Sequence, residues 1–446
     1  MGQRDGIQRL GVCMIAALTL TGCMSPDAGG DGSTGEASRF MGGLSGLGAP
    51  GDADAAARAE AAASPVISAL QARRSVIPSD SPYARIVDPV LAAYSRPAEA
   101  ELRSARLRAR AASKNWLPKI GPNISLTSLS DVIAQLVVEQ VLFDNGRKKA
   151  ERAFAKADVE VAAVTLAEDT NARIRTALTL YLSAMKARER KTLEQQTLKY
   201  MEHFEWVMSE RVSGGISDSS DLNVLRQKLA EIRATLAAQS EAEATALAEL
   251  NAMSTRPLDD VTGLADLPPV TSPVRPVEVL RAEAEKDRDI ASAQVERGGL
   301  LPGLTAGGTL GDNGSGIGLN VSSDQLLGLG TGDSLNAIKA TQEAATARVG
   351  QAEEDAQRRT ARLHSQLSAL TRQVDEAAAL ASRAKANLDL FQRQYKGGQR
   401  QVMDVVGVYE TFAARQAAAL DLKYERLVLQ LEIAEHLGVL AEGSRL

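Results

Sequence analysis

The chain repeats itself once. Leu117-Pro118 recurs as Leu301-Pro302, the turn LFDNG (142–146) as LGLGTG (327–332), and SGGISDSSDL (213–222) as KGGQRQVMDV (396–405), displaced each time by 183 to 186 residues. Three landmarks in one order at nearly one spacing predict a duplicated unit, with a period far longer than that of a solenoid repeat. Each unit reads helix, strand pair, long helix, turn, helix. The predicted units span 81–262 and 263–440, leaving a short tail at 441–446.

From Arg147 to Ser213 there is neither glycine nor proline. Nothing there interrupts a helix of roughly 65 residues, or about 100 Å at a rise of about 1.5 Å per residue. The second unit matches this stretch from about Asp333 to Lys396. There Leu363, Leu367, Leu370, Val374, Ala377, Ala381, Ala384, Leu388, Phe391 and Tyr395 alternate steps of four and three. Such a series marks a coiled-coil seam, and Leu222, Leu225, Leu229, Ile232 and Leu236 continue it after the first turn. The helix after that turn and another at about 277–296 together match one long helix in length, so a long helix can pack along two stacked short ones. Aromatic residues make up only 3% of the 446 and alanine is abundant, which fits helices packed closely through small side chains.

The strand pairs show as alternation: Ile124, Leu126, Val132, Leu136 and Val138 in the first unit, and Leu304, Leu310, Ile317, Leu319 and Val321 in the second. GDNGSG (311–316) is a hairpin loop between the second pair. Either segment alone reads equally well as a glycine-rich linker. Open strand edges cannot face lipid, and bacterial outer-membrane barrels start at about eight strands. If four strands cross a membrane, several chains must share one barrel. Trp116 and Phe143 flank the first pair, where membrane barrels collect interfacial aromatics.

At the N-terminus, Arg4 and Arg9 precede an uncharged apolar run from Leu10 to Leu20 and then LTGC, ending at Cys23. This order is that of a secretion signal (1–22), and the run is too short to span a membrane. LTGC resembles the bacterial lipobox. That resemblance implies a diacylglycerol on Cys23, which becomes the mature N-terminus; the alternative is an ordinary signal peptide with a chance cysteine. Cys13 leaves with the signal, so Cys23 is the sole mature cysteine and no intrachain disulfide or cysteine metal cluster can form. Met24 follows it, where an aspartate would retain an enterobacterial lipoprotein at the inner membrane. Residues 23–80 are assigned to a flexible tether, on the strength of a Gly-, Ala-, Ser- and Asp-rich stretch that cannot bury enough apolar surface to order itself.

The formal charge of −5 is spread without a basic block, so nucleic-acid binding has no electrostatic footprint. His203, His364 and His436 are isolated in sequence, and no phosphate loop, nucleophile elbow or HExxH is present. Asp218 and Asp221 are too few for a calcium loop. The chain is therefore expected to be no enzyme and to hold no metal and no cofactor beyond the covalent lipid.

Residues 83–440 resemble the TolC-type outer-membrane factors. The resemblance rests on the duplication, on LP before each strand pair, on LFDNG opening the long helix, and on the glycine turns followed by an aspartate (GGISDSSDL and GGQRQVMDV). It implies a mainly α chain with a small membrane β part, whose homotrimer pools four strands per chain into a twelve-stranded barrel above a helical coiled-coil tunnel. It implies an outer-membrane channel, the passive exit duct of a tripartite efflux or type I secretion system. Its partners would be a periplasmic adaptor and an inner-membrane transporter, the adaptor meeting the turns at Gly214, Gly215, Gly397 and Gly398.

By the same resemblance the tunnel closes at its periplasmic tip. Asp404 matches a ring aspartate, Arg400 and Tyr395 match the arginine four before it and the tyrosine nine before it, and Asp221 and Ser220 match their partners in the first unit. The family's second ring aspartate is Gly407 here. Other roles remain open at these positions: Tyr395 continues the apolar seam, Asp221 can cap the next helix, and Arg400 can be solvated. The competing reading of the whole chain is a non-conducting coiled-coil lipoprotein that spaces the envelope.

Overall fold

The computed structural model describes residues 64–445, apart from positions 95, 129–130, 271–273, 312–313 and 324–327. The signal segment, Cys23, Met24 and the tether up to residue 63 lie outside the described residues, as do the tips of both predicted hairpins. In chain order the elements are α1 (Pro65–Gln71), α2 (Pro82–Ala92), α3 (Pro97–Ser113), β1 (Lys119–Ser128), β2 (Asp131–Phe143), α4 (Arg147–Ser213) and α5 (Ser219–Ala252). The second unit follows as α6 (Val277–Leu300), β3 (Gly303–Gly311), β4 (Gly314–Ser322), α7 (Thr331–Lys396) and α8 (Val402–His436). The predicted plan of helix, two strands, long helix, turn and helix is thus met twice.

Helix α4 fills the whole predicted stretch with 67 residues, and α7 has 66. Prolines open α1, α2 and α3, where a missing N–H costs nothing, and Ser64 and Ser81 cap the first two by accepting from the N–H groups of Ile67 (3.2 Å) and Ala84 (3.3 Å). The predicted seam of α7 is its shielded side, with Leu363, Leu370 and Leu388 buried and the other seven positions half-buried. Helix α4 packs along both α5 and α6, as two short helices beside a long one, while α7 packs on α8 and on α6.

Four apolar clusters among the described residues hold this body, the smallest being Ala293, Leu300 and Ile338 between α6 and α7. The largest lies where α2, the middle of α4, the loop after α5, and α8 meet; Tyr83 and Tyr181 cross there edge to face at 6.1 Å, and the Tyr181 hydroxyl donates to the Gly263 carbonyl at 2.7 Å. A second joins α1 and α3 to α4 and α6 through small residues such as Ala98, Ala105, Ala163 and Ala167. The third lies near the two turns.

Two predicted boundaries are corrected. Residues 64–80, assigned to the tether, belong to the packed body, because Val66, Ile67 and Leu70 are buried against α4 and α6. Residues from 441, assigned to a tail, close onto that same segment: Gly443 N–H donates to Arg73 O at 2.9 Å, and Ser75 N–H to a Glu442 carboxylate oxygen at 2.8 Å. The buried Arg73 guanidinium donates to the carbonyls of Leu437 (2.8 Å) and Arg275 (2.9 Å), and burial lowers its pKa to about 10.

The four strands form one antiparallel sheet in the order β1-β2-β3-β4. The register pairs Ile120 with Val138, Leu136 with Leu310, Gly308 with Ile317 and Ala306 with Leu319. Close approach joins the two units at the base of the sheet. A Cβ on Gly298 would lie 2.7 Å from that of Arg147, and one on Gly303 2.9 Å from the Phe143 carbonyl oxygen. Asn145, at φ 52°, donates from Nδ2 to the Pro302 carbonyl at 2.9 Å, so the LFDNG turn of one unit grips the LP of the other.

Candidate functional site

Both long helices end in the same motif. The N–H groups of Gly214, Gly215 and Ile216 donate to the carbonyls of Glu210, Val212 and Arg211 at 3.0, 3.0 and 2.8 Å. Those of Gly397, Gly398 and Gln399 donate to Arg393, Tyr395 and Gln394 at 3.1, 2.9 and 2.9 Å. This closure needs a residue in the left-handed region, supplied by Gly215 (φ 72°) and Gly398 (φ 74°). All four glycines are exposed, and Ile216, which the sequence reading did not single out, is an apolar side chain 70% exposed at the apex.

The five expected gate residues lie beside these turns, and within one chain Asp404, Arg400 and Ser220 are engaged locally. Asp404 sits in the first turn of α8, where its carboxylate accepts from the Gln401 N–H at 3.1 Å in a capping box. Arg400 donates from Nε to Gln394 Oε1 at 3.1 Å and lies over the Phe391 ring at 4.5 Å from its centroid. Tyr395 is half-buried and meets Phe204 edge to face at 6.2 Å. In the first unit Asp218, not Asp221, caps α5 by accepting from the Ser220 N–H at 3.1 Å, and its bonds from Ser220 hold the Asp218 carboxyl below the usual range. Asp221 makes no side-chain hydrogen bond or ion pair among the described residues. The chain by itself does not bring Tyr395 or Arg400 into hydrogen bonding with Asp221 or Ser220. At Gly407 an added Cβ would meet nothing within 4 Å, so that position has room for a side chain.

Besides the Tyr395–Phe204 contact, the residues that join the two helix hairpins near the turns are others. Tyr200 of α4 stacks on Tyr409 of α8, ring centroids 4.5 Å apart and planes 20° apart, and its hydroxyl accepts from Gln392 Nε2 at 2.7 Å. Lys228 of α5 pairs with Glu410 of α8. The signal available in the sequence was the clustering of Tyr200, Phe204, Tyr395, Tyr409 and Phe412 near the turns of a chain so poor in aromatics. Among the described residues no three metal-ligating side chains come together.

At the other end of the long helices, the register gives the sheet two unlike faces, because residues paired across antiparallel strands share a face and neighbours along a strand do not. One face carries Ile120, Pro122, Leu136, Val138, Leu304, Ala306, Leu310, Ile317, Leu319 and Val321, with Gln140 and Ser315 as its polar members. The other carries Lys119, Asn123, Gln135, Glu139, Thr305, Thr309, Asn320 and Ser322, interspersed with glycines, Val137 and Val141. The apolar face has no cover among the described residues: Ile120 is 65%, Leu319 71% and Ile317 95% exposed. A bulge between Val141 and Phe143 turns Phe143 onto this face, opposite Leu304, and Trp116 is exposed at the foot of the sheet. No described helix is long and apolar enough to cross a membrane.

No family model and no curated protein matches the sequence. Solved structures do match in three dimensions. The outer membrane protein VceC of Vibrio cholerae is 16% identical with a TM-score of 0.68, over 80% of this chain and 96% of that one. The CmeC outer membrane channel of Campylobacter jejuni is 14% identical with a TM-score of 0.67, over 81% and 87%. The open state of the MtrE outer membrane channel of Neisseria gonorrhoeae is 16% identical with a TM-score of 0.67, over 81% and 90%. With its duplicated unit, four-stranded sheet and two long helices, the chain has the fold of a TolC-type outer-membrane factor.

Proposed function

We propose that this chain is the outer-membrane exit duct of a tripartite efflux or type I secretion assembly. The observation that carries the reading is the sheet: among the described residues one face is largely apolar and uncovered, the other polar and glycine-rich, and β1 and β4 each lack a neighbour on one side. Open edges cannot persist in lipid. Pairing β4 of one copy with β1 of the next removes them all, and three copies close a barrel of twelve strands with the apolar face toward lipid. A scaffold that merely spaces the envelope has no use for such a sheet.

The polar face then lines a passage continued by the tunnel of long helices. In the trimer Asp404, Arg400, Tyr395, Asp221 and Ser220 gather at the tip, where the Asp404 carboxylates form a negative ring and Asp221 can bond a neighbouring chain. The exposed turns at Gly214, Gly215, Gly397 and Gly398, with Ile216 between the helices of the first hairpin, offer the adaptor its contact. The inner-membrane transporter supplies the energy, so transport through this chain is passive. Cys23 carries the lipid that adds a second hold on the outer membrane. Purified lipidated protein in planar bilayers should give discrete, uniform conductance steps. Protein that inserts stably without ever passing current would contradict the reading.

A further inference from the structure

We propose that the outer stripe of α3 and the outer stripe of α7 are the two halves of one charge-matched contact between successive copies of this chain. The inference rests on the channel reading above and names what joins its copies below the sheet. Helix α3 packs on α4 and is buried through Ala98, Leu102 and Ala105. On its far side Arg103, Leu107, Arg110 and, just past its end, Lys114 follow in steps of four and three, all exposed. Helix α7 packs on α6 and α8 and is buried through Ile338, Ala345 and Ala356 in this half. Its far side carries Asp333, Asn336, Ala340, Glu343 and Ala347, again in steps of three and four and all exposed. Such steps keep to one face of a helix.

The two stripes are opposite in charge and complementary in shape. Arg103, Arg110, Lys114, Asp333 and Glu343 make no side-chain hydrogen bond or ion pair among the described residues. Lys339 stands about a quarter turn off the α7 stripe, and Arg348 is turned to Asp289 of α6 at 3.0 Å. Leu107, 57% exposed, is a large apolar side chain set between the cations. Ala340 and Ala347 leave a gap beside the carboxylates that such a knob can fill. Topology brings the stripes together, because α3 leads into β1 and α7 follows β4, the two strands that lack a neighbour on one side. Pairing β4 of one copy with β1 of the next therefore sets α7 beside the next copy's α3, one helix running away from the sheet and the other toward it. Like charges repel, so α3 does not face α3, nor α7 face α7. The contact is head-to-tail, the kind that closes a ring of three.

The test uses the full-length lipidated protein, with assembly in detergent read by native mass spectrometry over a dilution series and current read separately in planar bilayers. Arg103→Glu, Arg110→Glu and Lys114→Glu together should raise the concentration of half-assembly about tenfold or more, and so should Asp333→Lys with Glu343→Lys. The chain carrying both reversals should return to within about threefold of wild type. Leu107→Cys with Ala340→Cys, or with Ala347→Cys, should link copies covalently up to the trimer, which Leu107→Cys alone should not. If the reversed chains lose their helical circular dichroism, Arg103→Gln, Arg110→Gln and Lys114→Gln are read in the same way, with a shift of about threefold. Folded one-sided reversals that assemble like wild type, a double reversal no better than either half, or failure of both cysteine pairs to link overturn the contact. Quenching of a fluorophore on Leu107→Cys by brominated phospholipid gives the stripe to the membrane and overturns it too. A wild type that is monomeric and passes no current overturns the channel reading beneath it instead.

Discussion

Moving an arginine by one position along β4 should convert a disruptive substitution into a tolerated one. Leu319 lies on the apolar face, 71% exposed, and Asn320 beside it lies on the polar face opposite Thr305. Strand β4 has 9 residues, about 30 Å at about 3.3 Å per residue, or about 23 Å of depth at a tilt of about 40°. Leu319 is next to the central residue, Gly318, and on the proposed channel reading lies near the bilayer midplane. An arginine facing lipid at that depth costs about 2–4 kcal/mol in each chain, and about three times that in a trimer. Asn320→Arg places the same group in water, where the cost should stay within about 0.5 kcal/mol. Urea titration of protein refolded into vesicles, followed by Trp116 at the foot of the sheet, measures both. Leu319→Arg should unfold at lower urea or fail to insert, while Asn320→Arg should track wild type and shift ion selectivity toward anions. Equal behaviour of the two variants would refute the assignment of faces.

Three other outcomes follow from buried groups and from the N-terminus. His436, 6% exposed with Nε2 2.9 Å from the Thr360 hydroxyl, has its pKa lowered from 6.5 to about 4 by burial and by Arg359. The unfolded chain therefore binds the proton first on acidification, and stability that is full above about pH 6.5 should fall by about 2–3 kcal/mol as the pH approaches 4; His436→Gln should flatten that part of the profile in thermal melts. Asn171 is fully buried, and its Oδ1 accepts from the N–H groups of Leu440 (2.9 Å) and Ala441 (3.2 Å). Asn171→Leu strands both donors, so it should cost about 2–5 kcal/mol and sharply speed hydrogen exchange at those two amides; unchanged exchange would show that the contact carries no energy. Cys23→Ser should leave an unprocessed or soluble form, and mass spectrometry of the wild-type N-terminus should find the lipid on Cys23; cleavage at another bond would sink that assignment.

What could be read in advance was what depends on local pattern. Helix α4 was legible because no glycine or proline interrupts 147–213, and the shielded side of α7 because its seam steps by four and three. The strands were weak signals singly and became firm through matching positions in two units. Contacts between distant segments were not legible. Val66, Ile67 and Leu70 sit beside a glycine- and alanine-rich stretch and look like part of it, yet their partners lie on α3, α4 and α6. Ser75 meets Leu440 and Glu442, more than 360 positions away, and no periodicity reports such a pairing. Counting from the turn picks out Asp404 and Arg400, but spacing alone does not reveal that one caps α8 and the other lies on Phe391. Nor does it reveal that Tyr200 and Tyr409, on helices of different units, find each other.

On the channel reading, chains with four strands each share one barrel and one passage. Electron cryomicroscopy of the full-length protein in lipid nanodiscs tests it most directly. Three chains should appear, their twelve strands closing a single barrel, β4 of each paired with β1 of the next, Leu319 against lipid and Asn320 in the lumen. A lone chain, or an assembly whose strand edges stay open and whose apolar face is covered by protein instead of lipid, would contradict it.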